Sequence, residues 1–161
     1  MSFDIQHPFE TFQTSAFRLE ALPKYLVENE REAFAHFKET GEIPAYANTE
    51  WSSLVEHAIA AGKTMQRLRL LSDELTPYEQ FELHVYSGLE AGEDIRLNAR
   101  QAYKDVYRYD FWFFDDTYIS QIHYEADGTF VRFETREATD EEREMAHYWV
   151  GIFEQSTKLG I

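Results

Sequence analysis

Charged side chains and one histidine occur in three consecutive segments that read as β-strands joined by short turns. Asp110 begins the first segment, His123 lies in the second and Arg132 in the third. If Asp116-Thr117 and Asp127-Gly128 are both two-residue turns, pairing places Asp110 opposite His123 and His123 opposite Arg132. A histidine between a carboxylate and a guanidinium group can act as a general base or hold an anionic ligand.

Other interpretations of these three residues remain open. They can form a structural cross-strand network, as many polar pairs on sheets do. A shift of the first turn would place Asp110 opposite Gln121 instead. On the predicted register the polar face continues with Trp112, Gln121 and Glu134, while Phe111, Ile122 and Phe133 belong to the core face.

A second polar pattern lies in the segment Thr64–Leu71, which alternates as a strand does and places Arg67 and Arg69 on one side. If this strand joins the same sheet, the two arginines add a cationic patch suited to carboxylate or phosphate groups. The alternative is that they are neutralised by Asp94, Glu82 or Asp110. The candidate ligand-binding residues are Arg67, Arg69, Asp110, Trp112, His123 and Arg132.

The sequence contains no motif that indicates a particular reaction. The other histidines are dispersed, and no HExxH pair, phosphate-binding glycine loop or GxSxG motif occurs. We therefore predict no cofactor, no metal site and no defined catalytic residue. Whether the protein is an enzyme stays open, and the enzymatic alternative is a small hydrolase or transferase that uses His123 with Asp110.

Helices are indicated by periodicity and capping signals. One is expected from about Val27 to Thr40, ended by Gly41, and a second from Thr49, its cap, to Gly62. Thr76-Pro77 opens a third helix, which carries Leu89 on its buried stripe and ends at Gly92. A last helix opens at Thr139 with a capping box.

The remaining segments complete the predicted fold. Glu93–Asn98 reads as a short strand, and residues 9–26 read as irregular, with Arg18 and Glu20 either paired or solvated. We predict an α+β domain. Its mostly antiparallel sheet of about five strands has a C-terminal three-stranded meander and is covered by about four helices.

Length, charge and cysteine content limit the number of domains, the chemistry and the binding partners that can be expected. The 161 residues suit one domain with one core, and the absence of cysteine excludes disulfides and thiolate chemistry. Thirty acidic against fifteen basic residues give a net charge of −15, which disfavours direct nucleic-acid binding. No leader or membrane-spanning run is visible, so we expect a cytoplasmic protein.

An ordered series of motifs resembles an uncharacterised domain-of-unknown-function family that is frequent in actinobacteria. The resemblance runs from about Phe12 to Glu134 and rests on FRLE (17–20), RLRLLS (67–72), LTPYEQFE (75–82), AGEDIR (91–96), DFWFFDD (110–116) and HY (123–124). Members are often encoded near helix-turn-helix regulators, which implies a role beside transcriptional control. We therefore expect a non-enzymatic accessory protein whose polar sheet face binds a regulator protein or a small anionic ligand.

Overall fold

One mixed sheet forms the centre of the molecule. The computed structural model describes residues 2–44, 49–87 and 91–159, apart from the side chain of Thr49. Within these residues the strands are β1 (Ser15–Glu20), β2 (Thr64–Leu71), β3 (Asp94–Ala99), β4 (Phe111–Phe114), β5 (Tyr118–Tyr124), β6 (Phe130–Glu137) and β7 (Thr157–Lys158). They are ordered β6-β5-β4-β1-β2-β3-β7.

Helices lie on both faces of this sheet. They are α1 (Pro8–Thr11), α2 (Arg31–Thr40), α3 (Thr49–Ala60), α4 (Pro77–Ser87) and α5 (Asp140–Gln155), with 3₁₀ turns at Glu28–Glu30 and Arg100–Tyr103. We call the face covered by α3 and α4 the front face, and the face covered by α5 the back face.

The fold is α+β, but the predicted sheet is wrong in size and direction. It has seven strands rather than about five, and β1 pairs with β2, and β2 with β3, in parallel. Parallel neighbours need long crossover connections, and here these contain α2 and α3 in the first case and α4 in the second. The antiparallel meander of β4, β5 and β6 is confirmed.

The largest miss is β1, which occupies the middle of the sheet although residues 9–26 read as irregular. Five of its six residues are buried, because helices cover both of its faces. The apolar Phe17 and Leu19 alternate with Arg18 and Glu20, which are buried on the front face, but this alternation covers only four residues. So short a pattern, inside a segment with a weak helical period, did not indicate a strand.

The capping signals correctly located the starts of α4 and α5, whereas α2 begins at Arg31 rather than at about Val27, and α1 was not predicted. Thr76 and Glu79 form the predicted capping box at the start of α4, and Thr139 and Glu142 form the one at α5. Gly41 adopts a left-handed conformation after α2. The predicted cap at Thr49 and the buried position of Leu89 lie outside the described side chains.

The first turn of the meander differs from the predicted one. Phe114 pairs with Tyr118 across a three-residue loop, in which Asp115 and Asp116 both have positive φ angles. The Asp115 carboxylate accepts hydrogen bonds from the backbone amides of Gln13, Thr14 and Ser15. These contacts stabilise a loop conformation that aspartate adopts less readily than glycine.

Packing on the two faces is dominated by aromatic rings. On the back face Trp149 and Phe153 of α5 pack against Phe17, Phe111 and Phe113. On the front face one apolar cluster joins α3 to Trp112 and Phe114, and another joins α2 and α4 to β3. Between these two front clusters lie the charged side chains described next.

Candidate functional site

The predicted triple of Asp110, His123 and Arg132 is not assembled. His123 pairs with Arg132 as expected, but the Asp110 carbonyl accepts the Ile122 amide at 3.0 Å, so Asp110 lies opposite Ile122. The predicted pairing with His123 is wrong, and so is the shifted alternative with Gln121. Since side chains alternate along a strand, Asp110 is on the front face and His123 on the back face.

The front face instead contains three buried arginines. Arg18 of β1 pairs in register with Arg67 of β2, and Arg69 lies two residues further along β2. Arg69 is fully buried, and Arg18 and Arg67 are 5% and 6% exposed. Removing each of these charges from water costs several kcal/mol unless carboxylates replace the lost hydration.

Five carboxylates supply that compensation. Arg69 Nε lies 2.5 Å from Glu82 Oε1 and 3.5 Å from Glu20 Oε1. Arg67 Nε lies 2.8 Å from Glu93 Oε2. We call this group the buried charge cluster: Arg18, Glu20, Arg67, Arg69, Glu79, Glu82, Glu93 and Asp110.

The sequence analysis offered the alternative that acidic residues neutralise Arg67 and Arg69. Acidic residues do so, but they are not all the predicted ones. Glu82 binds Arg69 as considered, and Asp110 Oδ2 lies 3.3 Å from Arg18 Nη1 rather than beside Arg67 or Arg69. Asp94 instead pairs with Arg96 at 3.1 Å. Arg18 and Glu20 form the suggested pair, at 3.6 Å, but inside the protein rather than on its surface.

Tyrosines and tryptophans enclose the cluster. The Tyr107 hydroxyl donates to Asp110 at 2.6 Å, and the Tyr25 hydroxyl donates to the same carboxylate. The Arg67 guanidinium lies 5.4 Å from the Trp112 ring centre and 5.1 Å from that of Tyr86, distances at which cations and aromatic faces attract. Trp112 thus belongs to the wall of the cluster.

A proton on Glu82 balances the charges. Five carboxylates face three buried arginines and the partly buried Arg100, whose Nη1 lies 3.4 Å from Glu79 Oε2. Burial raises the pKa of Glu82 to about 8, with the charge of Glu20 adding to the effect. Burial opposes ionisation of Glu20 as well, but its arginine neighbours lower the pKa of Glu20 to about 2.

Hydrogen-bond geometry around Tyr86 agrees with this assignment. Its single hydroxyl proton can go to one acceptor, and Glu20 Oε1 is nearer, at 2.8 Å, than Glu82 Oε2, at 3.1 Å. A protonated Glu82 can then donate to the same Tyr86 oxygen. Arg67 and Arg69 are therefore enclosed and paired with carboxylates, although Arg69 Nη2 makes no hydrogen bond and lies 4.0 Å from Glu79 Oε2.

His123 and Arg132 lie on the back face of the outer strands. His123 Nε2 is buried without a hydrogen-bond partner, 3.5 Å from Glu134 Oε1, whereas the Arg132 side chain is 59% exposed. The six candidate residues thus form two separate groups. Arg67, Arg69 and Asp110 belong to the buried charge cluster and Trp112 to its wall, whereas His123 and Arg132 lie on the back face of β5 and β6.

Strand β6 has a surface that the sequence analysis missed. Phe130, Val131 and Phe133 are 40%, 46% and 52% exposed, although Phe133 was assigned to the core face. No other strand of the described residues pairs with the outer edge of β6. The available signal was its place as the last strand of a meander, where an edge is expected.

A cavity of about 630 Å³ adjoins β6 on the front face. Its walls include Ile5, Phe9 and Leu54 on one side and Phe133 and Thr135 on the other. We call this cavity, together with the outer edge of β6, the edge groove. An apolar side chain of a strand placed beside β6 can reach into it.

The sequence also matches a family model over residues 4–160, described as a domain of unknown function, DUF6879. The chain belongs to this family. The DUF6879 match includes α5, which lies beyond the segment on which the sequence resemblance rests. No curated protein matches this DUF6879 chain.

Two further structural findings concern the described part of the chain. None of its helices has the length and apolar character needed to cross a membrane. Its histidine and carboxylate side chains nowhere gather in a group of three or more that could hold a metal ion.

Proposed function

We propose that this DUF6879 chain is a non-enzymatic accessory protein that binds a partner protein through the edge groove. The partner contributes a basic segment in extended conformation, which adds to the sheet as a further strand beside β6. One observation carries the proposal: β6 is an edge strand of eight residues with three exposed apolar side chains.

The outer edge of β6 is only partly protected against pairing with another strand. Edge strands offer unpaired N–H and C=O groups to other chains, so proteins commonly shorten, charge, bulge or cover them. β6 has charged side chains and an irregular pairing near its start, and among the described residues Leu26 covers the positions just before it, where it bridges to Thr129 and its amide donates to the Gly128 carbonyl at 3.0 Å. The edge from Phe130 onward is long enough for strand addition.

The edge groove supplies a basis for specificity. In strand addition, main-chain hydrogen bonds provide affinity and pockets for alternate side chains provide selectivity. Phe133 of β6 lines the cavity together with Ile5, Phe9 and Leu54. A partner strand with an apolar residue at alternate positions would place one of them in this cavity.

Electrostatics favour a basic partner. The net charge of −15 attracts cationic segments and speeds their encounter. Of the two basic residues of β6, Arg136 lies 2.9 Å from Glu134 and also contacts Glu142, whereas Arg132 is more exposed and lies 4.0 Å from Glu134. A transcriptional regulator, the partner implied by the resemblance, characteristically carries basic segments.

The structure does not bring together the two residues on which the enzymatic alternative depends, Asp110 and His123. A general base and the carboxylate that orients it must be within hydrogen-bond reach. Asp110 and His123 lie on opposite faces of the sheet, and Asp110 is engaged by Arg18, Tyr25 and Tyr107. We therefore do not propose a hydrolase or transferase that uses this pair.

The proposal can be tested with a fluorescein-labelled peptide of about ten residues in which lysine alternates with valine and leucine. We expect anisotropy titrations to show binding to the native chain and at least ~10-fold weaker binding to Phe133→Ser, because a central apolar contact is lost. Tyr148→Ser, which alters an aromatic residue of similar exposure (46%) on α5, is the matched control.

Two altered peptides identify the mode of binding. Replacing lysine with glutamate should abolish binding, and so should N-methylation of alternate backbone amides, which removes the donors of one strand edge. Equal affinity of native protein and Phe133→Ser, or retained binding of the N-methylated peptide, would contradict the proposal.

A further inference from the structure

A second cavity, of about 370 Å³, lies beside the segment that connects β1 to α2. It forms where residues 24–28 meet the first turns of α2, Tyr78 of α4 and the turn between β5 and β6. We call it the cationic cavity. Its volume is in the range of sites for small organic ligands.

Three basic side chains line the cationic cavity: Lys24, Arg31 and Lys38. The acidic side chains of its lining are Glu28 and Glu30. Arg31 pairs with Glu28 only at 3.9 Å, with both side chains at least 80% exposed, so this contact holds the guanidinium weakly. Positive groups therefore remain accessible at the cavity.

The concentration of cations is notable in so acidic a chain. The 630 Å³ cavity has His7 and Glu10 as its titratable lining residues. A third cavity, of about 560 Å³, combines Arg108 with four acidic residues: Asp105, Glu141, Glu142 and Glu144. Among these three cavities, only the cationic cavity has more basic than acidic side chains.

Aromatic rings form the inner wall of the cationic cavity. Tyr25 and Tyr78 are buried, with ring centres 5.8 Å apart, and Phe34 lies 5.4 Å from Tyr78. Both tyrosine hydroxyls are already engaged, Tyr25 with Asp110 and Tyr78 with Glu30 at 2.7 Å. Phe34, the partly exposed ring of the three, supplies most of the accessible apolar surface, which suits a flat ligand body, and Lys38 Nζ lies 4.5 Å from its centre.

The wall that bears Lys24 is held in place by close backbone packing. Gly128 has a positive φ angle, and a Cβ atom there would lie 2.3 Å from the Lys24 carbonyl oxygen. The Leu26 amide donates to the Gly128 carbonyl, so a hydrogen bond joins the same two segments. A ligand would therefore meet a wall that is already in position, which reduces the entropic cost of binding.

We infer that the cationic cavity binds a small aromatic anion. The ring of the ligand packs against Phe34, next to the buried Tyr25 and Tyr78, and its carboxylate or phosphate group is held by Lys24, Arg31 and Lys38. This site shares no lining residue with the edge groove, so it is independent of the proposed partner interface. It differs from the anion site expected at Arg67 and Arg69, whose guanidinium groups are buried.

The test uses benzoate and phenyl phosphate as ligands and compares them with benzylamine and inorganic phosphate. We expect at least one aromatic anion to bind by isothermal titration with a Kd below ~1 mM. Benzylamine should not bind, because its charge has the wrong sign. Inorganic phosphate should bind at least ~10-fold more weakly than the tighter aromatic anion, because it has no ring to bury.

Paired charge reversals locate the site. The double variant Arg31→Glu, Lys38→Glu should bind the tighter aromatic anion at least ~10-fold more weakly than the native chain. Lys104→Glu, Lys158→Glu makes the same change in net charge at exposed positions elsewhere and should bind normally. Thermal melts establish that both variants are folded.

The inference is overturned if no aromatic anion binds, if benzylamine or inorganic phosphate binds as tightly, or if both double variants lose affinity equally. Phe133→Ser should leave binding of the aromatic anion unchanged. Loss of peptide binding and loss of anion binding are thereby distinguished, and either proposal can fail without the other.

Discussion

Arg67 and Arg69 illustrate which residue-level properties are readable in the sequence. Their alternation with Leu68 and Leu70 predicted that both arginines share one face of a strand, and the structure confirms this. Their burial was not predictable in the same way. It depends on carboxylates from other elements, such as Glu20, which is 47 residues from Arg67.

The proton balance of the buried charge cluster gives a pH dependence at the residue scale. The pKa of Glu82 rises from 4.5 to about 8 on folding, because burial disfavours its charged form. The folded chain therefore holds a proton that the unfolded chain has released at intermediate pH. This contribution makes the free energy of unfolding decrease as pH rises between these two values.

Glu82→Gln should remove that dependence, because glutamine resembles the protonated acid and does not ionise. In urea melts from about pH 5.5 to about pH 7.5, the stability of the native chain should fall relative to this variant by up to ~1.4 kcal/mol per pH unit. Glu141→Gln, at an exposed site on α5, should keep the native slope. Parallel profiles for the native chain and Glu82→Gln would contradict the assigned proton.

At the scale of elements, the turn that was predicted wrongly has a conformation that depends on residues distant in sequence. The three-residue loop after β4 is stabilised by amides of residues 13–15, about a hundred positions away in sequence. The local turn rule favours two-residue loops and cannot include that contribution. The resulting change of pairing moved Asp110 away from His123. His123 pairs with Arg132 as predicted, although the second turn joins Glu125 to Thr129 and a bulge between His123 and Tyr124 restores the expected pairing.

Phe113→Ala tests the packing between α5 and the back face. Phe113 is 4% exposed within the back-face cluster, so truncation should lower the free energy of unfolding by about 3–5 kcal/mol. Phe133→Ala is the matched control, because its ring is 52% exposed and should cost less than ~1 kcal/mol. Urea melts measure both changes, and similar losses for the two variants would refute this division between core and surface.

At the scale of the molecule, composition and periodicity predicted more about the parts than about their arrangement. Helices α2 to α5 and strands β2 to β6 follow from capping residues, hydrophobic period and turns. Strand order does not follow from them, because the alternation in β1 covers only four residues and β7 has only two residues. The edge position of β6, and with it the proposed interface, becomes visible only once the complete sheet is assembled.

Charge distribution belongs to this scale as well. The buried charge cluster is nearly balanced, so the excess of acidic residues faces solvent and acts on partners at long range. Association with a basic segment should therefore weaken as salt is raised, because ions screen exposed charges over roughly 10 Å at 0.1 M salt. Contacts made inside the edge groove are less affected.

Hydrogen exchange during binding of the lysine-alternating peptide tests the central claim most directly. Strand addition converts solvent-facing backbone groups of β6 into hydrogen-bonded ones, so exchange of amides within residues 130–137 should slow at saturating peptide. Amides of β2 and α4, next to the buried charge cluster, should exchange at unchanged rates. Peptide binding that leaves β6 exchange unaltered, or that protects β2 and α4 instead, would contradict the edge groove as the partner site.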